Sequence, residues 1–503
     1  SNLSVIAGAE INRTTTNGFN NTIYGSSSSL SSANVDFVNT YPRILGGSST
    51  VPISEGFTDF DNRYVSVFAN AAYTYKNRYV LSGSARNDAT NLFGVETRNR
   101  WKPLYSVGGS WTLSDEPFYK FTPLSYLRLR VTYGYQGNIN NTISGSTIIN
   151  YVSASTNRPL NIPAAEVFQP ANPQLRWENI RQVNFATDFE FWNGKIKGSL
   201  EYYLKDATDV LAAEDADPTT GYSQVFRNSA NISGKGFEIS LISKNIVKES
   251  FSWQTSLQTN FATYKVTKYL VNSSTNGIVS DGQVITPIVG YSPYALISYK
   301  LAGLDPLTGD PLGYVNGTKS KDWDNIVYNT PLSEQAIQGS ALPLIYGNLA
   351  NDFRLGNFKI WVNIIYKLDY YFRRPTIYYG GLFSNGAGNS DYLKRWQKPG
   401  DELVTNIPSM VYPNPTTSRD AFYMQSDATV EKGDNVKLQT IQVSYDLLKA
   451  VHQKFGFTQF EIFANADNMN YIIWCANKKN IDPDYPTGLK MPASISAGIR
   501  AAF

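Results

Sequence analysis

The sequence predicts an all-β chain folded as a transmembrane antiparallel β-barrel. Three observations carry this: segments alternate apolar and polar residues with period two, the links between them are long and short in turn, and the mean hydropathy is only −0.30. No run of about 18 apolar residues occurs, which excludes a membrane-crossing helix. A barrel strand escapes that test, because its lipid-facing apolar and lumen-facing polar residues average out.

Each element follows from its alternation. In 127–136, Leu127, Leu129, Val131, Tyr133 and Tyr135 share one face, with Arg128, Arg130, Thr132 and Gln136 on the other. The same pattern recurs in 196–205, with Ile196, Leu200, Tyr202 and Leu204 against Lys197, Ser199, Glu201 and Lys205. It recurs again in 253–261, with Trp253, Leu257 and Phe261 against Gln254, Ser256, Gln258 and Asn260. Further candidates are 3–12, 64–75, 79–87, 104–113, 183–191, 235–243, 294–301, 311–316, 344–353, 358–366, 436–445, 457–465 and 495–503. The total is about sixteen strands, most of them near the length that crosses a bilayer when tilted. In 436–445 the apolar phase slips between Leu438 and Ile441, which calls for a β-bulge.

Short links at 76–78, 192–194, 245–250, 303–309 and 354–357 alternate with long ones at 13–62, 137–182, 206–234, 317–343 and 367–435. A soluble sandwich has no reason to gather its long loops at one end, whereas an outer-membrane barrel does. Links 114–126 and 446–456 fall in the short class by parity yet run longer, and the second suits a short helix. By the same parity, 303–309 is expected as a periplasmic turn.

Size and charge agree. At 503 residues the chain exceeds a usual single core, so it is several domains or one large barrel. Lys+Arg 44 against Asp+Glu 41 leaves +3, which gives no drive toward nucleic acid. A charged fraction of 17% with 14% aromatic residues argues against disorder. The chain opens Ser1-Asn2-Leu3, with no Met, basic start or apolar leader, as expected of a processed chain or a fragment.

Catalysis finds little support. His452 is the single imidazole and sits in an expected periplasmic link. Cys475 in an Ile-Ile-Trp-Cys-Ala context reads as a small buried hydrophobe. Glu214, Asp215 and Asp217 mimic a glycosidase acid pair, though a long polar loop more commonly solvates such groups. No metal centre or cofactor is expected. Carboxylates in the Asp305 and Asp482 loops do stand at calcium-loop spacing, but Asp-Pro and Thr-Gly are also ordinary turn chemistry.

The external loops carry the candidate ligand contacts: Tyr222, Phe226, Trp323, Tyr328, Tyr378, Tyr379, Phe383, Tyr392, Trp396 and Trp474. Flat rings edged by amides suit both sugars and peptides. The competing reading is that these rings pack loops together or form the interfacial girdle.

These stretches also resemble one family in order. They include Tyr105-Ser-Val-Gly-Gly-Ser-Trp-Thr-Leu-Ser-Asp-Glu-Pro-Phe118, Asn172-Pro-Gln-Leu-Arg-Trp-Glu178, Gly234-Lys-Gly-Phe-Glu238, Gly303-Leu-Asp-Pro-Leu-Thr-Gly309 and Arg395-Trp-Gln-Lys-Pro-Gly-Asp401. With 79–94, 127–138 and the terminal Phe503, the set resembles the C-terminal two-thirds of the barrel of a SusC/RagA-like TonB-dependent transporter.

The resemblance implies active import of oligosaccharides or peptides across the outer membrane, with a SusD-like surface lipoprotein as partner and TonB–ExbB–ExbD as energy source. It makes Phe503 a barrel-assembly signal. It also implies a barrel of 22 strands, of which about six, together with a plug, are expected from upstream sequence or another chain. Residues 1–503 are then barrel throughout, with no plug domain. A scaffold barrel without transport is the alternative, and an enzyme ranks third.

Overall fold

The computed structural model describes residues 1–21, 36, 38–43, 46–51, 55–93, 100–141, 143, 145–152, 164–217, 219, 224–269, 277–414, 416–447 and 458–502. One antiparallel sheet dominates, with fourteen strands on a single path in chain order. They are β1 (Asn2–Asn21), β2 (Glu55–Tyr75), β3 (Tyr79–Thr90), β4 (Trp101–Thr112), β5 (Leu124–Asn138), β6 (Glu178–Phe191) and β7 (Ile196–Asp215). There follow β8 (Gln224–Val247), β9 (Phe251–Tyr269), β10 (Ile345–Leu355), β11 (Phe358–Leu368), β12 (Asn435–Asp446), β13 (Gln459–Asp467) and β14 (Ser494–Ala502). A fifteenth strand, Tyr471–Cys475, pairs with the start of β12.

Pairing holds one register through the middle of these strands, with shifts confined to a few bulges, so the period-two pattern keeps one chemistry per face. Arg130 on β5 lies opposite Ser110 on β4 and Ala186 on β6. Its guanidinium donates to Asp188 at 2.8 and 2.9 Å and to Glu201 at 3.0 Å. On the same face Lys197 meets Glu190 at 2.7 Å, and Arg86 meets Asp88 at 2.6 Å and Glu10 at 3.0 Å. The opposite face exposes Leu81, Val107, Leu129, Val131 and Leu204. Toward the short-turn end it closes with stacked rings, Tyr79 on Trp111 and Trp253 on Phe353. Paired charges on one face and a ring-edged apolar band on the other match a water-filled lumen and a bilayer.

Turn chemistry fixes the short end. Lys76 and Asn77 both hold positive φ, 51° and 56°, the pattern of a type I′ hairpin, and Trp192 and Asn193 repeat it at 50° and 54°. The expected bulge is present: Asn363 pairs with Thr440 while Ile364 pairs with Leu438, leaving Gln439 as the extra residue.

Fourteen of the sixteen expected strands lie in this sheet. The segments at 294–301 and 311–316 do not. Ala295–Ser298 is buried on both faces inside a three-stranded sheet with Ser280–Asp281 and Ala336–Ser340, and Gly313–Val315 forms a small hairpin with Thr318–Ser320. A strand with no exposed face cannot front lipid, so the whole of 277–344 is one excursion between β9 and β10. The turn at 303–309 therefore belongs to the long-loop end, and the periplasmic placement is corrected. The expected helix within 446–456, His452 and Phe503 lie outside the described residues.

That excursion packs with the 369–434 connection into a body at the long-loop end. Helices α1 (Trp323–Asn329), α2 (Tyr379–Asn385) and α3 (Thr417–Met424) sit in it. Tyr299, Ile326 and Phe422 form one core, and Ile377, Tyr379, Ile407 and Tyr423 another. Buried ions join the loops. Asp391 takes Arg374 at 2.5 Å and Lys479 of the next connection at 2.7 Å. Arg419 reaches Asp310 at 3.0 Å.

Candidate functional site

Where β5–β9 rise past the apolar band, the polar face of the wall and the loop body enclose a cavity of about 830 Å³. Glu178 and Ile180 enter from β6, Lys205, Ala207, Val210 and Leu211 from β7, and Ile232 and Gly234 from β8. Tyr264 of β9 forms one side, Asn138 at the end of β5 with Asn140 and Asn141 just beyond it the rim, and Ile285, Tyr294 and Leu342 the loop-body side.

Two local devices shape it. The β7–β8 ladder shifts register between Ala207 and Val210, where Asp209 holds φ 57°. The Asp209 carboxylate accepts from Arg176 at 2.6 Å and Asn179 at 2.9 Å, and its carbonyl accepts from Asn228 at 2.7 Å, which pins the kink. Such a bulge re-aims side chains, and here it brings Val210 and Leu211 into the cavity. The second device is missing Cβ atoms. A Cβ on Gly234 would come within 2.5 Å of the Tyr264 ring at the cavity, and, beyond the cavity lining on the same strand, one on Gly236 would come within 2.3 Å of Tyr203. Only glycine lets these rings lie against the strand.

The two charged groups in the cavity differ in their hydrogen bonding. Glu178 accepts from Asn138 at 2.7 Å and from the Leu211 N–H at 2.9 Å. Lys205 is half-buried and forms no ion pair among the described residues, unlike Arg130 and Lys197 on the same wall.

Of the ten aromatic candidates, Phe226 lines this cavity and Tyr222 lies outside the described residues. Tyr379, 1% exposed, and Trp396, 8% exposed, are loop-body packing rather than ligand platforms. Tyr379 donates to the Pro408 carbonyl at 2.7 Å, and its burial holds the phenol well above its ordinary pKa. Trp323 packs on the α1–α3 core and donates to Pro311 at 2.9 Å. Phe383 stands edge-on to Tyr412, and Tyr392 lies under the Arg395 guanidinium. Tyr328, Tyr378 and Trp474 are exposed but away from the cavity. The sequence reading weighted rings and missed Ile180, Val210, Ile232 and Lys205. A signal was present: Ile180 and Ile232 are aliphatics at wall positions whose phase is otherwise polar, between Gln136 and Gln182 in one case and beside Lys205 in the other.

The calcium-spaced carboxylates are occupied by lysines. Asp305 takes Lys321 at 2.7 Å and the Leu307 and Thr308 amides, which hold its pKa at about 2. Asp482 is buried against Lys437, which also meets Asp484 at 2.7 Å. Among the described residues no group of three or more His, Cys, Asp or Glu converges as a metal site would.

The family described as "TonB dependent receptor-like, beta-barrel" matches residues 4–363. TonB-dependent receptor P26 of Formosa agariphila is 24% identical over 445 residues, 83% of this chain and 42% of that protein. TonB-dependent receptor SusC of Bacteroides thetaiotaomicron is 26% identical over 348 residues, 65% of this chain and 34% of that protein. Among solved structures, the RagAB peptide importer in its open-open state superposes with a TM-score of 0.72 at 18% identity, over 100% of this chain and 52% of that one. The chain thus spans less than half the length of these curated relatives. Its ladder, its sorted faces and the match over residues 4–363 together make it a member of the TonB-dependent receptor-like β-barrel family of the outer membrane.

Proposed function

We propose that this chain forms barrel wall and external mouth of a SusC-like importer that takes up oligosaccharides or peptides. In this reading it binds and passes solute without transforming it. A SusD-like surface lipoprotein covers the mouth, and TonB–ExbB–ExbD supplies the energy that moves the plug. The observation that carries the proposal is one-sidedness. The 277–344 and 369–434 connections fold into a body at one end of the ladder and border a cavity on the lumen-facing wall, while at the other end tight turns join β2 to β3, β6 to β7, β8 to β9 and β10 to β11. A barrel that only scaffolds a surface complex has no need of a ligand-sized cavity opening on its polar face.

The test is uptake. Cells producing the full-length protein with its neighbouring lipoprotein should accumulate fluorescent oligosaccharides or peptides, and a tonB deletion or a protonophore should abolish the accumulation. Uptake that persists without TonB, or the entry of neither solute class, would overturn the proposal.

A further inference from the structure

We propose that the wall cavity is a docking pocket for the carboxyl-terminal end of a peptide, with an apolar side chain against Ile180, Val210, Leu211 and Ile232 and the terminal carboxylate on Lys205. This rests on the import reading and deepens it by naming what the wall itself recognises.

Three features of the cavity lead to this ligand. The first is its lining, in which branched aliphatics are the largest group, with Ile180, Val210, Leu211 and Ile232 on the wall and Ile285 and Leu342 on the loop body. A sugar buried there would leave hydroxyls without partners, at a cost of roughly 1–3 kcal/mol each, whereas an aliphatic side chain gains from the same burial. The bulge at Asp209 matters here because it is what presents Val210 and Leu211 together.

The second feature is charge. Glu178 keeps its charge, but hydrogen bonds from Asn138 and the Leu211 N–H fix both of its oxygens within the wall. Lys205 has no ion-pair partner among the described residues, while lumen-facing Arg86, Arg130 and Lys197 each have one; Arg128 also lacks one there, but its guanidinium donates to Ser110 at 2.9 Å and it does not line the cavity. A half-buried cation at the edge of an apolar cavity fits a ligand that joins an apolar body to an anion.

The third feature separates a peptide from a fatty acid, which shares that chemistry. Asn138 and Asn141, on the rim beside the aliphatic wall, are only partly used within the chain: Asn138 donates to Glu178 at 2.7 Å, and Asn141 accepts from the Tyr64 hydroxyl at 2.9 Å. Amides there suit the alternating donors and acceptors of a peptide backbone, and an alkyl chain would have nothing to offer them. The size fits as well, since about 830 Å³ falls within the range of small-ligand sites.

Purified full-length transporter should be titrated calorimetrically with a tetrapeptide ending in leucine, its carboxyl-terminal amide, maltotetraose and decanoate. The free acid should bind roughly tenfold or more tightly than the amide, the worth of one charge-assisted bond. Lys205→Gln should weaken the acid by a similar factor and erase the difference, while Lys205→Arg keeps it. Val210→Trp, which fills the cavity, should abolish binding of acid and amide alike. Circular dichroism and the heat-modifiable gel shift check that each variant is folded. Equal affinity for acid and amide, tighter binding of maltotetraose, or tight binding of decanoate with none of the tetrapeptide would each overturn the pocket assignment. Uptake separates this from the function as a whole. TonB-dependent entry of acid and amide at equal rates would sink the pocket and leave import standing. Pocket binding as described, with no TonB-dependent entry of any solute, would sink import instead.

Discussion

Asp391 illustrates what a single residue carries in the loop body. Its carboxylate is buried beside Arg374, is met by half-buried Lys479, and also accepts from Thr376 at 2.8 Å. Burial alone would raise its pKa, but Lys479, Thr376 and Arg374 outweigh that and hold it below the ordinary value. Asp391→Asn leaves the buried Arg374 guanidinium with Glu431, 3.7 Å away, as its remaining anion, and breaking a buried pair of this kind costs about 3 kcal/mol. Amide exchange across 373–396 should therefore quicken in the variant, with the barrel's heat-modifiable gel shift unchanged. Unaltered exchange would show the pair to be dispensable. The pH dependence follows from the direction of the shift. A carboxyl with a depressed folded pKa stabilises fully above its unfolded value near 4 and loses that stabilisation as pH falls toward the folded value. Wild-type protection should thus decline below about pH 4, and Asp391→Asn should lack that acid limb.

At the scale of one strand, β5 makes the facing assignment testable. Val131 stands on the apolar face, and its neighbour Thr132 faces the lumen between Gly108 and Asn184. An arginine on the lipid side near mid-membrane costs about 2–4 kcal/mol, whereas on the lumen side it is solvated. Val131→Arg should sharply reduce the heat-modifiable, folded fraction in outer membranes, and Thr132→Arg should leave it near wild type. Equal losses would mean the faces are misassigned. Period two was enough to read this strand from the sequence, because side chains alternate strictly along a paired strand. Residues 294–301 misled for the same reason. Their pattern resembles a strand, and they do form one, but Ala295–Ser298 is buried all round within the loop body, a distinction that depends on neighbours distant in sequence.

For the whole molecule, the alternation of links fixes sidedness. Leu403, 85% exposed in the 369–434 connection, should lie outside the cell, and Asn77, in the β2–β3 turn, should lie in the periplasm. In a Cys475→Ser background, Leu403→Cys should react with an impermeant maleimide on intact cells, and Asn77→Cys only after permeabilisation. The reverse pattern would invert the topology. Removing two strands from the expected sixteen left this prediction untouched, because an even number was lost and every later strand kept its direction.

The sequence by itself determined the class of fold, the lipid and lumen faces, the tight-turn end and even the bulge at Gln439, all consequences of local alternation and turn chemistry. The tertiary structure alone decided which aromatic residues are accessible. Tyr379 and Trp396 read as surface platforms until the packing of the 277–344 and 369–434 connections buried them. It also decided that Asp305 and Asp482 hold lysines, and that Ile180, Val210, Ile232 and Lys205, from three strands, meet at one cavity. Alternation is a property of neighbouring residues and is written in the chain. A cavity is a property of residues brought together by register and loop packing, and no window of sequence contains it.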